Sequence, residues 1–227
     1  MTRTDFRLFS VVHLAILVLV PVVAYSLGRL GRGNASWNRR IRSALAGFLA
    51  VNEVVWYTYR YTTEGFRFPE GLPLQLCDLM VWLTVAALLT LRQWVMETAY
   101  LVGIAGAGMA LITPDLWAPL LSYPSIYFFL AHGSIVIGLL YLVWSGLLRL
   151  GRRSVWNVLA AVNAYACMIG AFNAAFGTNY MYLCRKPGGA SVLDWFGPWP
   201  VYLLAGEVFA AALLWLLWLP SPKRKVS

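Results

Sequence analysis

Leu72-Pro73-Leu74-Gln75-Leu76-Cys77-Asp78 places a thiol between two polar side chains at the start of an otherwise apolar helix. A thiolate is a strong nucleophile, and the first turn of a helix, with its unpaired N–H groups, favours that charge. Asp78 opposes it electrostatically, although adjacent helical residues point about 100° apart. His132, in Phe128-Phe129-Leu130-Ala131-His132-Gly133, supplies an imidazole from a different apolar segment. Thiol and imidazole together are the parts of nucleophilic catalysis: the ring takes the thiol proton and later protonates a leaving group. Both residues also have plain structural readings. Free cysteine usually behaves as a small buried hydrophobe, and a single histidine in a membrane is often a hydrogen-bonded core residue.

The elements that must hold these groups are membrane helices. Of 227 residues, 60% are hydrophobic and 12% are charged, whereas soluble domains carry roughly 25% charge. Apolar runs of about 20 residues predict an all-α bundle of seven transmembrane helices forming one domain over residues 1–227. The expected spans are 8–27, 41–61, 74–91, 94–113, 122–148, 155–178 and 199–219. Ala24-Tyr25-Ser26 is a passable signal-cleavage site, but a long apolar run followed by further spans favours an uncleaved helix. Span four carries Gly103, Gly106, Ala107 and Gly108, a small-residue face suited to close helix packing.

Positive charge sets the expected orientation. Arg29, Arg32, Arg39, Arg40, Arg42, Arg92, Arg149, Arg152, Arg153 and the tail Lys223-Arg224-Lys225 fall on one side of the bundle. Arg3, Arg7, Arg60, Arg67, Arg185 and Lys186 fall on the other, a split of twelve against six. The positive-inside rule then puts the N-terminus out and the C-terminus in, in a multi-pass protein of the cytoplasmic membrane. The excess of 18 Lys+Arg over 9 Asp+Glu is thereby explained by topology, so nucleic acid is not expected as a partner. Prolines 69, 73, 114, 119, 124, 187, 198 and 200 all lie on the outer side, predicting structured outer turns.

This topology gathers polar side chains in one layer, counted along helices at about 1.5 Å per residue. Cys77, His132, Glu53, Glu207, Asn173, Asn179 and His13 all fall in the outer half of the bilayer. Glu97 sits near the inner end of span four. Isolated polar groups in lipid are costly unless satisfied, so a shared depth points to a small wet cavity. For single residues the alternative is interhelical bonding, and Glu53 and Arg60, seven apart on one helical face, are a possible ion pair. An orienting partner for His132 is available in Glu207, Glu53 or Asn173. Cys167 has mostly apolar neighbours and reads as packing. Cys184, beside Arg185-Lys186 in a loop, is the competing thiol. Three cysteines argue against a complete disulfide framework, and no Cys/His metal spacing, GxGxxG, P-loop or HExxH occurs. Neither cofactor nor metal is expected.

Leu72-Pro73-Leu74-Gln75-Leu76-Cys77, the stretch from Tyr123-Pro124 to His132-Gly133, and Gly177-Thr178-Asn179-Tyr180-Met181-Tyr182-Leu183 with Lys186-Pro187 occur in that order. Ser191-Val192-Leu193-Asp194 and Gly197-Pro198-Trp199-Pro200 follow. From about Glu53 to Glu207 the chain resembles the YwaF-type bacterial integral membrane proteins, related to eukaryotic transmembrane protein 164. The resemblance implies a cysteine-dependent acyltransferase that remodels phospholipids, with Cys77 as acyl-accepting nucleophile and His132 as its base. Phospholipids and lysophospholipids are then the expected partners, and Gln75, Asn179 or a backbone N–H near the start of span three are candidate oxyanion donors. Asp78, Glu53, Glu207 and Asn173 have no role assigned by the resemblance. Water as acyl acceptor would make the protein a lipase or thioesterase. From the polar layer alone, a small-molecule or ion transporter or receptor module is the competing class, and a structural partner without ligand is a third.

Overall fold

The computed structural model describes residues 6–116, 118–187 and 192–222. Arg3, Ser191 and the Lys223-Arg224-Lys225 tail lie outside the described residues. The described chain is all-α: α1 (Val11–Gly31), α2 (Ala35–Glu64), α3 (Leu76–Thr90), α4 (Gln93–Ile112), α5 (Tyr123–Trp144), α6 (Ser154–Phe176) and α7 (Val201–Trp218). Two short 3-10 turns, Tyr180–Tyr182 and Val192–Phe196, interrupt the connection between α6 and α7.

Local chemistry explains the ends. Ser10 and Asn34 cap α1 and α2 by accepting from the N–H of His13 and Trp37, at 3.4 and 3.0 Å, satisfying donors that a helix start leaves free. Pro124 opens α5, a position where its missing N–H is no loss. Gly177, at φ 69°, closes α6 in the left-handed conformation that glycine adopts without penalty.

Five helices, α1, α4, α5, α6 and α7, are long and apolar enough to cross a membrane, so the protein is a multi-pass membrane protein. The other two expected spans are helices of different character. α3 is apolar but only 15 residues long, about 22 Å at 1.5 Å per residue, short of a hydrocarbon core of about 30 Å. α2 runs for 30 residues and carries Arg39, Arg40 and Arg42 near one end and Arg60 and Glu64 near the other.

α5 is the hub. Two-thirds (67%) of its apolar window is buried, against 17% for α6 and 11% for α7. It touches α1, α2, α3 and α4, whereas α6 and α7 lean on α4 and on each other. The closest approach is between α1 and α5. A Cβ on Gly28 would stand 2.7 Å from Trp144 Cβ, and one on Gly31 would collide with the Tyr141 hydroxyl. The small face expected on span four is only partly used. Gly103 lies against Leu139, 2.6 Å from a built Cβ, and Ala107 is buried, but Gly106 and Gly108 face open space. Hydropathy could not separate these positions, because a glycine contributes the same value whichever way it points.

Candidate functional site

Cys77 belongs to the stripe of α3 that faces the core. Val81, Thr84 and Leu88, four, seven and eleven residues on, share its face and are buried. Cys77 itself is exposed, so the interior stripe opens at the N-terminal end of α3 and the thiol stands in that mouth. Asp78 accepts a hydrogen bond from the Gln75 backbone N–H at 3.1 Å, the reciprocal arm of a capping box. Gln75 Oε1 accepts from the Met181 N–H at 3.1 Å, and Tyr165 of α6 donates to the Leu74 carbonyl at 3.0 Å. The broken start of α3 is thus fixed from three sides.

Depth along α5 follows from one contact. A Cβ on Gly138 would lie 3.3 Å from Thr84 and 3.2 Å from Leu88. With α4 returning between them, α3 and α5 run the same way, so stepping back seven residues on both, about 10 Å, sets Cys77 level with Ala131 and His132. Azimuth differs. His132 precedes Gly138 by six residues and therefore points about 120° away from the row that faces α3. It lies instead on the side of Ile135 and Leu139, which meet Gly103 of α4. Among the described residues no hydrogen bond joins Cys77 to His132.

The imidazole is nonetheless oriented. His132 is buried at 8% exposure, its ring packs on Phe128 with centroids 4.3 Å apart, and Nδ1 lies 2.8 Å from the Phe128 carbonyl. A carbonyl only accepts, so Nδ1 carries the proton, and in the neutral ring Nε2 keeps its lone pair. The orienting partner is thus a backbone oxygen one turn earlier, not Glu207, Glu53 or Asn173. His13 is bonded at both nitrogens, Nδ1 accepting from Phe9 N–H at 2.9 Å and Nε2 contacting the Leu111 carbonyl at 2.7 Å. Its ring ties α1 to the C-terminal end of α4.

The remaining polar residues fall into separate groups. Glu53 is completely buried and accepts from the Tyr127 hydroxyl of α5 at 2.7 Å through Oε2. Its other oxygen, Oε1, has no hydrogen-bond partner among the described residues. Tyr57, one turn along α2, faces the same way and accepts from Trp82 Nε1 at 3.3 Å. Trp56 stacks on Tyr127 at 4.2 Å and 8°. Cys77 and Asp78 both lie within electrostatic reach of Glu53. The ion pair considered between Glu53 and Arg60 does not form: Arg60 pairs with Glu64 at 3.3 Å. Glu207 accepts from Asn163 at 2.7 Å, joining α7 to α6. Asn173 engages both ends of its amide with Thr178 and Tyr180, and Asn179 binds the backbone of Cys184 and Arg185. These two amides shape the turn after α6. Glu97 accepts from Gln93 and from the Gly151 N–H.

The two other thiols stand apart from this arrangement. Cys167 is on the exposed face of α6, so it does not pack in the interior as its apolar neighbours suggested. An apolar sequence environment is equally consistent with a lipid-facing position. Cys184 is exposed in the turn after α6, and the neighbouring Lys186 is directed at Asp194, 3.9 Å away, and over the Tyr202 ring. Tyr127 and Tyr57 are the residues sequence reasoning missed. Their signal was their placement at the depth of Glu53 on neighbouring turns. Among the described residues no group of three or more His, Cys, Asp or Glu side chains is placed to hold a metal ion.

Neither a curated protein nor a solved structure matches the chain. A family model does, across all seven helices and both candidate catalytic residues. By that match, over residues 4–219, the chain belongs to the TMEM164 family.

Proposed function

We propose that the protein is a membrane thiol acyltransferase or transacylase acting on glycerophospholipids, with Cys77 as nucleophile and His132 as the proton carrier. The observation that carries this reading is the position of Cys77. It is the one member of the core-facing stripe of α3 that is open at the outer mouth, level with an imidazole whose Nε2 lone pair is free. Family membership supports it.

The chemistry is balanced in two halves. In the first, Cys77 Sγ attacks an ester carbonyl, a C–S bond forms and the C–O bond breaks. The thiol proton passes through one water to His132 Nε2 and leaves on the lysophospholipid oxygen. In the second, an acceptor hydroxyl attacks the thioester, gives its proton to Nε2, and returns the thiol as the new ester forms. Backbone N–H groups at the start of α3 and the Gln75 amide are the available oxyanion donors.

The finer topology goes with this reading: α2 and α3 complete seven spans, N-terminus out and C-terminus in, with the Cys77 mouth at the outer headgroup–acyl boundary. The arginine distribution supports it. The deciding experiment incubates purified protein with labelled phospholipid and a lysophospholipid, comparing wild type with Cys77→Ala and His132→Ala. Acyl transfer that persists in Cys77→Ala overturns the thiol mechanism.

One observation favours a second reading. A buried carboxylate oxygen with no hydrogen-bond partner among the described residues, Glu53 Oε1, suits a proton or small-cation pathway. Flux through proteoliposomes that is lost in Glu53→Gln and kept in Cys77→Ala would favour transport.

A further inference from the structure

The turn between α2 and α3 encloses a pocket of about 190 Å³, lined in part by Tyr57, Arg60, Glu64, Phe66, Arg67 and Pro73. Two features set it apart from an ordinary surface hollow. The first is its charge. Arg60 has one long ion pair, to Glu64 at 3.3 Å, while Arg67 forms no ion pair or side-chain hydrogen bond among the described residues. Two arginines and a single carboxylate, Glu64, therefore line one cavity. The second is rigidity. The Arg67 carbonyl accepts from the Gly71 N–H at 2.5 Å, and a Cβ on Gly71 would stand 2.6 Å from that oxygen. Tyr180 donates to the Pro69 carbonyl at 2.7 Å, which pins the turn to the segment after α6. Arg67 is thus carried on a fixed turn.

The pocket lies at the end of α3 that carries the thiol. Tyr57 lies on its wall and, one turn deeper, adjoins Glu53; Arg60 lies within electrostatic reach of Asp78; Pro73 precedes Cys77 by four residues. It sits at the outer ends of α2 and α3, where apolar helix gives way to polar turn, which is headgroup depth. Guanidinium pairs bind phosphate oxygens through parallel N–H donors. We propose that this pocket is the subsite for the phosphate of a phospholipid, held between Arg60 and Arg67, with the three-carbon glycerol backbone carrying the ester inward toward Cys77. Glu64 pairs with Arg60 and is displaced by the phosphate. The proposal rests on the acyl-transfer reading for the role of the bound lipid, but not for the binding itself.

The test measures binding without turnover, on full-length protein carrying Cys77→Ala in detergent. Three probes are titrated: a short-chain diacyl glycerophosphocholine, the diacylglycerol with the same chains and no phosphate, and inorganic phosphate. Arg60→Gln and Arg67→Gln are each expected to weaken the phospholipid about tenfold and to leave the diacylglycerol unchanged. Arg67→Lys is expected to recover part of the loss, and Glu64→Gln to tighten binding. Phospholipid affinity unchanged in both arginine variants would overturn the subsite, as would equal losses for diacylglycerol. Inorganic phosphate binding as tightly as the phospholipid would overturn the lipid source. Arginine-dependent binding in a protein whose Cys77 form transfers no acyl group would sink the acyl-transfer reading and leave the subsite standing.

Discussion

Tyr127 of α5 donates its hydroxyl to Glu53 of α2 at 2.7 Å, while the other carboxylate oxygen, Oε1, has no hydrogen-bond partner among the described residues. Both partners are buried, the tyrosine ring is stacked on Trp56, and the carboxylate lies beside the Cys77–Asp78 turn. A buried acid is strongly dependent on the donors that hold it.

Tyr127→Phe should therefore cost more than the bond itself, about 1–3 kcal/mol, because it strands the carboxylate. The cost is read as a lower thermal midpoint of the purified protein. The double variant Tyr127→Phe/Glu53→Leu should be milder than Tyr127→Phe alone, since it removes the stranded group. A double variant that loses as much as the sum of both singles would contradict this account.

His132 is expected to act through Nε2. His132→Gln should lower the acyl-transfer rate by about 10²–10⁴-fold with lipid binding retained. The thermal midpoint should fall only modestly, because the glutamine amide can still donate to the Phe128 carbonyl. Full activity in His132→Gln would remove the imidazole from the mechanism.

Helix packing offers a sharp contrast within one helix. Gly103→Val should destabilise by about 1–3 kcal/mol through overpacking against Leu139, while Gly106→Ala and Gly108→Ala should be close to neutral, each facing open space. Equal effects at Gly103 and Gly106 would mean that the α4–α5 register is different.

What the sequence made legible was depth, and what it hid was azimuth. Apolar runs located five membrane-length helices within about four residues, since twenty apolar residues in a row have few alternatives; α3 is shorter than a span, and α2 begins six residues before the expected one. Charge placed Cys77, Glu53 and His132 in one layer. Nothing in the string said that His132 points about 120° from the row facing α3, because one helical turn is compatible with any rotation until a neighbour is known. The same gap explains Gly28 and Gly31, whose close approach to α5 was not anticipated, and Cys167, whose apolar neighbours fit lipid as well as core. Glu53 was read against Arg60 because both lie on one helix; its actual donor comes from another helix, 74 residues later. Long-range pairs of that kind leave no periodic trace.

The cysteines should also separate by labelling. All three are exposed, but Cys77 stands at the N-terminal end of α3, near the proposed phosphate pocket, and Cys167 on the exposed face of α6. A short-chain phospholipid should protect Cys77 from a small maleimide and leave Cys184 unprotected. Equal protection of both would argue that the lipid does not occupy the α3 mouth.

The decisive measurement is the identity of the acylated residue. Purified protein is given a phospholipid with an alkyne-tagged acyl chain, quenched in acid, digested and sequenced by mass spectrometry, with and without hydroxylamine. The account predicts a hydroxylamine-sensitive acyl thioester on Cys77, accumulating when no lysophospholipid is supplied and discharged when it is added. Acyl transfer proceeding with no thioester on Cys77, or with the tag on Cys167 or Cys184 instead, would contradict it.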